Sequence, residues 1–307
     1  METLLTAFLA STVRTATPLA LASLGEGMCE RAGVINLGME GTIIAGAFGA
    51  AVGAAAGGTV LGIAGGALAG LVVSCVFGIF AIWLRTDQII TGTAVTLGAL
   101  GLTSALYRVT FGTQGVALSI PTLAPLPLPL LSSIPVLGSA FFSQPVLTYI
   151  AFVLAPVCSW FLFRTRTGLI WRATGESPEA VRSAGGRPVQ VQLLATSLSG
   201  LLGGLAGACL VLSQVGTFAD GMSAGRGFIA IAVVALGRWH PSGILAASLL
   251  FGGSSALQYL FQAAATAIPY QVFLALPYMM ALVVLTSGRR GHAAPAALGG
   301  KLENSLS

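Results

Sequence analysis

The stretch VLGIAGGALAGLVVSCVFGIFAIWL, residues 60–84, decides the fold because it contains no charged side chain. It is longer than the roughly 20 consecutive apolar residues that a helix needs to cross the hydrocarbon core of a bilayer. Arg85 and Asp87 follow in a very short connector, and a second uncharged run, residues 89–107, begins almost at once. Two spanning helices joined by a short polar turn are therefore predicted here.

Similar apolar runs occur along the whole chain. Two of them, residues 41–57 and 228–237, are short, so they either cross as broken helices or enter the membrane and return. The sequence therefore predicts an all-α polytopic membrane protein with about eight to ten transmembrane helices, including broken or re-entrant segments. The other runs are residues 4–24, 145–163, 191–213, 243–261 and 268–286.

Composition excludes several other classes of protein. Of the 307 residues, 55% are hydrophobic and only 7% are charged, whereas a soluble domain is usually about 25% charged. A soluble enzyme, a nucleic-acid binder and a disordered chain are therefore excluded. The single lysine, Lys301, cannot form a phosphate-binding Gly-Lys-Ser/Thr loop, so the chain is not itself a P-loop ATPase. The two histidines and four widely spaced cysteines fit no zinc motif, and no metal or cofactor is expected in this chain.

The distribution of arginines predicts the orientation in the membrane. Residues 109–144 form a proline-rich connector without charge, which is typical of the extracytoplasmic side. Residues 164–190 are rich in arginine and are assigned to the cytoplasm, together with a flexible tail at 288–307. Residues 1–287 then form the transmembrane domain, and the cell membrane is the expected location.

Glycine is abundant, with 41 residues, and it recurs at every fourth position in several runs. Residues 49, 53 and 57 form one such series, and residues 62, 66 and 70 form another. Small residues at this spacing let helices approach closely within a membrane. The pattern predicts tight packing within the chain rather than a dedicated dimer face.

Two glycine-rich segments interrupt the apolar pattern in a related way. Residues 26–41 read EGMCERAGVINLGMEG, and residues 220–229 read DGMSAGRGFI. Both contain an acidic residue followed by Gly-Met and, five positions later, by Gly, an apolar residue and Ile. The pattern favours an inverted repeat, in which corresponding interrupted segments of the two halves border the solute pathway of a transporter.

Several charged side chains of these segments are expected to bind one another, because an ionisable group is expensive in lipid. Glu30 with Arg31, and Asp220 with Arg226, are predicted to form structural ion pairs that fix turns at the membrane edge. Glu26 is an alternative partner for Arg31.

Asn36 and Glu40 are interpreted differently from the charged pairs. They are four residues apart, so they share one face if the segment is helical. Each side chain can hydrogen-bond a polar solute. Both are therefore candidates for lining a pathway through the membrane.

The connector 164–190 is expected to contain a short polar helix. Ser177 is suited to the N-cap position, Pro178 to the first helical position, and Gly185 to the end of the helix. A helix this short is unstable alone, so it must pack on another part of the structure. It is either a surface helix or a docking helix for a cytoplasmic partner.

The sequence EAVRSAG, residues 179–185, resembles the E-A-A-x-x-x-G coupling loop of ABC importer permeases, with Val181 in place of the second alanine. Residues 164–207 are similar to the branched-chain amino acid/ribose permease family. The segments 30–41 and 225–241 narrow the resemblance to the nucleoside (simple-sugar) permease subunits of that family. The resemblance extends from about Pro18 to Thr286.

This resemblance implies an ATP-driven importer for nucleosides, of which the chain forms half of the translocation pathway. A second homologous permease subunit would complete a heterodimer, and an extracytoplasmic lipoprotein would deliver the solute. ATP and Mg²⁺ would be bound by a separate cytoplasmic ATPase. The residues implied are Glu179, Ala180 and Gly185 for coupling to the ATPase, and Asn36, Glu40 and Phe228 for the pathway.

Other functions stay open at the level of the sequence. A permease of the same family can carry a monosaccharide or a branched-chain amino acid instead of a nucleoside. An ion-coupled secondary transporter would need carboxylates within the spans, where they are scarce. A membrane enzyme would need a nucleophile, a base or a metal constellation, and none is recognisable. A purely structural subunit of a membrane complex is the remaining alternative.

Overall fold

A computed structural model gives the fold and describes residues 2–112, 120–129, 131, 132, 134, 137–263, 275, 279 and 294–300. Helices make up most of these residues, which confirms the predicted all-α class. Within the described residues, 6 helices are long and apolar enough to cross a membrane. The predicted run 268–286 lies outside the described residues, apart from Ala275 and Met279.

The helices follow one another through mostly short connections. In chain order they are α1 (Glu2–Glu30), α2 (Met39–Gly57), α3 (Thr59–Gly78), α4 (Gln88–Phe111), α5 (Leu137–Phe141), α6 (Val146–Arg164), α7 (Arg166–Glu176), α8 (Pro178–Ser183), α9 (Pro188–Cys209), α10 (Arg226–Leu236) and α11 (Pro241–Ala263). Helices α3 and α9 continue as π-helical turns at Ile79–Trp83 and Leu210–Val215. Two short antiparallel strands, β1 (Leu126–Pro127) and β2 (Ser143–Gln144), pair within the proline-rich connector.

The two short apolar runs of the sequence form helices of different length. The first forms α2, whose 19 residues are sufficient to span a bilayer. The second forms α10, which has only 11 residues. Helix α10 is therefore a short apolar helix packed against α1, α2 and α11, in agreement with the expectation of a broken or re-entrant segment.

Helix α1 continues beyond the predicted run 4–24 as far as Glu30. Gly25 stays helical because it lies against α9, where an added Cβ atom would come within 2.9 Å of the Leu202 Cβ atom. Glu26 is 0% exposed inside this helix. The sequence placed Glu26 and Glu30 in a turn at the membrane edge, and this placement is wrong because contacts with other helices extend α1.

Glycine lets the backbones of α2, α3 and α9 touch. An added Cβ atom on Gly46 of α2 or on Gly70 of α3 would lie 2.5 Å from the Cα atom of Gly204 in α9. A Cβ atom on Gly49 would lie 2.5 Å from the carbonyl oxygen of Gly65. The tight packing within the chain that the glycine spacing predicts is confirmed at these positions.

The contacts between helices have the pattern of a repeat. Helix α3 packs on α9 as α11 packs on α1, and α2 packs on α9 as α10 packs on α1. Helices α1 and α9 also pack on each other. In this arrangement α1–α3 correspond to α9–α11, which supports the repeat predicted from the two glycine-rich segments.

Segments that the sequence assigns to the cytoplasm meet at one end of the molecule. The backbone N–H of Ala297 donates to the Gly175 carbonyl oxygen of α7 (2.9 Å). Nearby, the N–H of Ile35 donates to Gln88 Oε1 (2.9 Å), which brings the connector between α3 and α4 to the same region. Residues 294–300 of the predicted flexible tail therefore lie against the connector 164–190.

The described part of the proline-rich connector lies at the other end of α9. The N–H of Leu123 donates to the Leu212 carbonyl oxygen (2.8 Å), and that of Ile120 donates to the Gly216 carbonyl oxygen (3.2 Å). Leu212 belongs to the π-helical turn that ends this long element, whereas α8 precedes its start. The two connectors therefore lie at opposite ends of α9, as the arginine distribution requires.

Candidate functional site

Helix α8 has the boundaries that the sequence predicts. The N–H of Ala180 donates to the Ser177 hydroxyl (3.3 Å), which caps the helix, and Pro178 occupies the first turn. Beyond the last turn, Gly185 has a φ of +82°, a conformation that glycine adopts without strain. The local signals for the start and end of this helix are thus confirmed.

The surface of α8 suits a binding partner. Glu179, Ala180 and Gly185 are exposed, whereas Val181 between them is buried. Val181 therefore attaches the helix to the rest of the protein, and the polar side of α8 is left to solvent. The residues assigned to ATPase coupling thus lie on one accessible surface.

Helix α7, which precedes α8, is fixed to the end of α1. The indole N–H of Trp171 donates to the Met28 carbonyl oxygen (2.7 Å). Gly175 lies so close to the loop after α1 that an added Cβ atom would come within 3.2 Å of the Gly33 nitrogen. The α7–α8 region is therefore in direct contact with the first glycine-rich segment.

A buried polar cluster connects that segment to α1, α3 and α9. The backbone N–H of Asn36 donates to Glu26 Oε1 (2.8 Å), and the Asn36 side-chain amide donates to the hydroxyls of Ser74 (3.2 Å) and Ser199 (3.3 Å). Ser199 in turn donates to Glu26 Oε2 (3.3 Å). Because Asn36 and Glu26 are both 0% exposed, the cluster is sealed from solvent in this conformation.

Asn36 and Glu40 do not share a helix face. Helix α2 begins at Met39, after Asn36, and Asn36 Oδ1 accepts a hydrogen bond from the Gly38 N–H (3.1 Å) in the turn that leads into the helix. An Asn side chain that bonds the nearby backbone in this way competes with helix formation. The shared-face prediction is therefore wrong, and the role of each residue as a pathway lining stays a prediction.

Glu40 joins the two glycine-rich segments. Its carboxylate accepts hydrogen bonds from the N–H groups of Gly225 (2.8 Å) and Gly227 (2.7 Å) at the N-terminus of α10. The start of a helix has unpaired N–H groups and a partial positive charge, and a carboxylate satisfies both. Glu40, only 5% exposed, thus holds the start of α10 beside the first turn of α2.

Glu30 and Arg31 bind a common residue instead of forming the predicted pair. The Trp239 indole N–H donates to Glu30 Oε2, and Arg31 Nε donates to the Trp239 carbonyl oxygen (2.8 Å). The Arg31 guanidinium also lies 5.8 Å from the centre of the Phe163 ring. These contacts attach the turn after α10 to the end of α1.

Arg226 also has partners other than the predicted Asp220. Its Nη1 atom donates to the carbonyl oxygens of Met222 (2.9 Å) and Ser223 (3.1 Å), while Asp220 is exposed. Phe228, predicted to border the pathway, is 49% exposed on α10. The side chain of Arg226 is therefore held by the loop that carries it, and Phe228 is on the outside of the described protein.

A cavity of about 210 Å³ lies between α1, α10 and α11. Its polar lining consists of hydroxyl, amide and guanidinium groups, and its apolar lining includes two aromatic rings. Sequence reasoning missed most of it, because these side chains are scattered through apolar runs and only their polarity within a span could have identified them. The lining is Thr15, Leu19, Gln214, Ala224, Arg226, Ile229, Phe251, Gly252, Ser255, Gln258 and Tyr259.

No cluster of three or more His, Cys, Asp or Glu side chains able to hold a metal ion is found among the described residues. The acidic side chains of the site instead bind backbone N–H groups, hydroxyls and an indole. The chemistry that this arrangement offers is therefore hydrogen bonding and positioning.

Comparison with known proteins gives several matches. The model of the family described as the permease component of branched-chain amino acid transport systems matches residues 8–285. A putative glucose ABC transporter permease protein of Haloferax volcanii is 37% identical over 253 residues, which cover 81% of this chain and 75% of that protein. A guanosine ABC transporter permease protein of Bacillus subtilis is 34% identical over 285 residues, 88% of each chain. A nucleoside ABC transporter permease protein of Lactococcus lactis is 33% identical over 244 residues, 77% of each. No solved structure matches the chain.

The family match covers most of the chain and agrees with the helical fold. Permeases of ABC importers are transport components rather than catalytic subunits, and they work with an ATPase and a substrate-binding protein. The chain therefore belongs to the ABC transporter permeases of the branched-chain amino acid transport family, as a multi-pass protein of the cell membrane.

Proposed function

We propose that the chain is the permease subunit of an ATP-driven nucleoside importer. Two relatives that align with 77% or more of this chain carry guanosine or nucleoside transport in their names. A second, homologous permease subunit completes the pathway as a heterodimer. A cytoplasmic subunit binds ATP and Mg²⁺ and hydrolyses the ATP, and an extracytoplasmic lipoprotein delivers the nucleoside.

The single observation that carries this proposal inside the structure is the cavity beside α10. A nucleoside presents ribose hydroxyls, which need hydrogen-bonding partners, and a planar base, which can stack on an aromatic ring. Gln214, Ser255 and Gln258 supply amides and a hydroxyl, and Phe251 and Tyr259 supply rings. The lining thus supports a ligand that carries both hydrogen-bonding groups and an aromatic ring.

The exposed side of α8 supports the coupling part of the proposal. Glu179 and Ala180 point to solvent at the end of the molecule that the sequence assigns to the cytoplasm. An ATPase that closes on bound ATP can push on such a projecting helix. In this function Glu179, Ala180 and Gly185 form the docking surface, and Asn36, Glu40 and Phe228 lie along the route of the solute.

A monosaccharide is the second candidate cargo, because the relative with 37% identity is named as a putative glucose permease. Like ribose, glucose has hydroxyl groups that need hydrogen-bonding partners. It has no planar base that could stack on the rings of Phe251 and Tyr259. Because the family description names branched-chain amino acid transport, such an amino acid is a further alternative cargo. Each cargo gives a different result in the same uptake assay.

The test is ATP-driven uptake in a defined system. The chain is co-expressed with its neighbouring genes, purified through a tag on this chain, and reconstituted in vesicles that contain ATP. We expect accumulation of labelled guanosine or cytidine that requires both ATP and the binding lipoprotein. Matched vesicles receive ADP, or an ionophore that abolishes ion gradients.

Each alternative has its own outcome in this assay. Accumulation of glucose or ribose without guanosine and cytidine would replace the nucleoside by a sugar, and accumulation of leucine alone would replace it by an amino acid. Uptake that survives without ATP but stops with the ionophore would contradict an ATP-driven importer.

A further inference from the structure

We propose that Glu30, Arg31 and Glu40 are positioning residues that fix both ends of α10 to residues 28–40, which comprise the last residues of α1, the connecting loop and the first residues of α2. Through these contacts α10 moves together with the docking region α7–α8 when an ATPase acts on it. The proposal rests on the transport function proposed above, and it goes further by naming the contacts that carry the movement.

The start of α10 is fixed by Glu40. Both carboxylate oxygens are used, one by the Gly225 N–H and one by the Gly227 N–H. The backbones are also in direct contact, because a Cβ atom on Gly227 would lie 2.5 Å from the Glu40 Cα atom. The start of α10 therefore cannot move away from α2 without breaking two charge-assisted hydrogen bonds.

The end of α10 is fixed by Trp239. Its indole N–H donates to Glu30, and its carbonyl oxygen accepts from Arg31 Nε at 2.8 Å. Arg238 and Trp239 have φ values of +54° and +52°, which non-glycine residues adopt only where surrounding contacts hold them. The turn is thus kept in an unfavourable backbone conformation by the contacts with α1.

The same segment is attached to the docking region on its other side. Met28 accepts from Trp171 of α7, and the Ala32 carbonyl accepts from Gln192 Nε2 at the start of α9 (3.4 Å). Gly175 of α7 packs directly on the segment. Residues 28–40 therefore touch the docking region on one side and α10 on the other.

Helix α10 is the element through which this connection reaches the solute. Arg226 and Ile229, in its first turn, both line the cavity of about 210 Å³. A displacement of α10 relative to α11 would change the shape of that cavity. The contiguous contacts thus run from α8 through α7 and residues 28–40 to the cavity wall.

The first test removes one hydrogen bond from the end of α10. Trp239→Phe keeps an aromatic ring but loses the indole N–H, so Glu30 loses its partner in a buried place. We expect the assembled complex to hydrolyse ATP at nearly the normal rate, while the solute transported per ATP falls about tenfold, because a buried acceptor is left without its partner. Glu30→Gln retains an oxygen that accepts from Trp239, and should preserve most of the coupling.

Trp83→Phe is the matched control, because Trp83 is 71% exposed and lies outside these contacts. It should leave the transport-to-hydrolysis ratio unchanged. If Trp239→Phe also leaves that ratio unchanged, or lowers hydrolysis and transport in parallel, Trp239 has only a structural role and the proposal is wrong.

The second test needs no change in these contacts and no transported solute. Spin labels are attached in pairs at Leu169→Cys on α7, Ala232→Cys on α10 and Leu126→Cys in β1 at the opposite end of the molecule, all exposed positions. When the ATPase of the assembled complex binds ATP, the α7–α10 distance should stay constant while the distances from both helices to Leu126→Cys change. A change in the α7–α10 distance, or constant distances throughout, would overturn the proposal. Because no solute is involved, this result is independent of whether the cargo is a nucleoside.

Discussion

At the scale of single residues, the buried polar cluster shows how a polar side chain can be essential to the fold of a membrane protein. Asn36 uses its backbone N–H, its amide N–H groups and its side-chain oxygen, and its partners come from α1, α3 and α9. A buried polar group that loses its partner is penalised by about 1–3 kcal/mol. The Asn36 side chain therefore contributes to the stability of the helix core.

Asn36→Leu is expected to lower the stability of the protein. The substitution leaves the Ser74 hydroxyl, the Ser199 hydroxyl and the Gly38 N–H each without one partner, so we expect a loss of about 1–3 kcal/mol and a lower midpoint of thermal unfolding in detergent. Gln190→Leu, which removes an exposed amide from α9, is the control and should leave the midpoint nearly unchanged. Equal midpoints for the two variants would show that the cluster does not stabilise the fold.

Gly46→Ala is expected to disturb the contact between α2 and α9. The added methyl group would lie 2.5 Å from the Gly204 Cα atom, where only backbone movement can make room. Overpacking of this kind typically destabilises by about 1–3 kcal/mol. In Gly98→Ala, the new methyl group meets nothing within 4 Å, so that variant should unfold at the normal temperature or slightly above it. The comparison of the two melting curves measures the close packing directly.

At the scale of elements, the sequence predicts features that depend on local contacts, and it misses features that depend on contacts between distant parts of the chain. The ends of α8 follow from Ser177, Pro178 and Gly185, because caps act within a few residues. The end of α1 at Glu30 depends on contacts with α9 and α10, which lie far away in the sequence. Local patterns therefore predicted a turn at Glu26–Glu30, where the helix in fact continues. Glu40 was recognised as a candidate site residue, but its partners at Gly225 and Gly227 could not be inferred without the fold.

Glu179→Arg tests α8 as a docking element. The side chain is exposed and its helix is anchored by Val181, so the variant should insert and fold normally. Reversal of a charge within an interface costs several kcal/mol when the new charge meets a like charge. We therefore expect the affinity of the ATPase to fall by about tenfold or more. Co-purification of the ATPase with the tagged permease gives the readout.

Asp220→Arg is the matched charge reversal for that experiment. Asp220 is also exposed but lies in the loop between α9 and α10 rather than in the docking region. It should retain the ATPase at the normal level. If both variants retain it, α8 is a surface helix without a docking role.

At the scale of the whole molecule, the two connectors at opposite ends of α9 indicate the orientation of the chain in the membrane. The arginine-rich connector 164–190, the end of α1 and residues 294–300 meet at one end, and the proline-rich connector lies at the other. Arginine and lysine favour cytoplasmic loops. Energy from an ATPase can enter only at the arginine-rich end, because ATP is present in the cytoplasm.

Ala184→Cys and Leu126→Cys test this orientation with a membrane-impermeant maleimide, because both positions are exposed. We expect Leu126→Cys to be labelled in intact cells, and Ala184→Cys to be labelled only after the membrane is permeabilised. The chain without added cysteines is the control, and it measures any background labelling of the half-buried Cys75, since Cys29, Cys158 and Cys209 are buried. Labelling of Ala184→Cys in intact cells would put α8 outside, where no ATPase could reach it, and the coupling of α8 to transport would have to be abandoned.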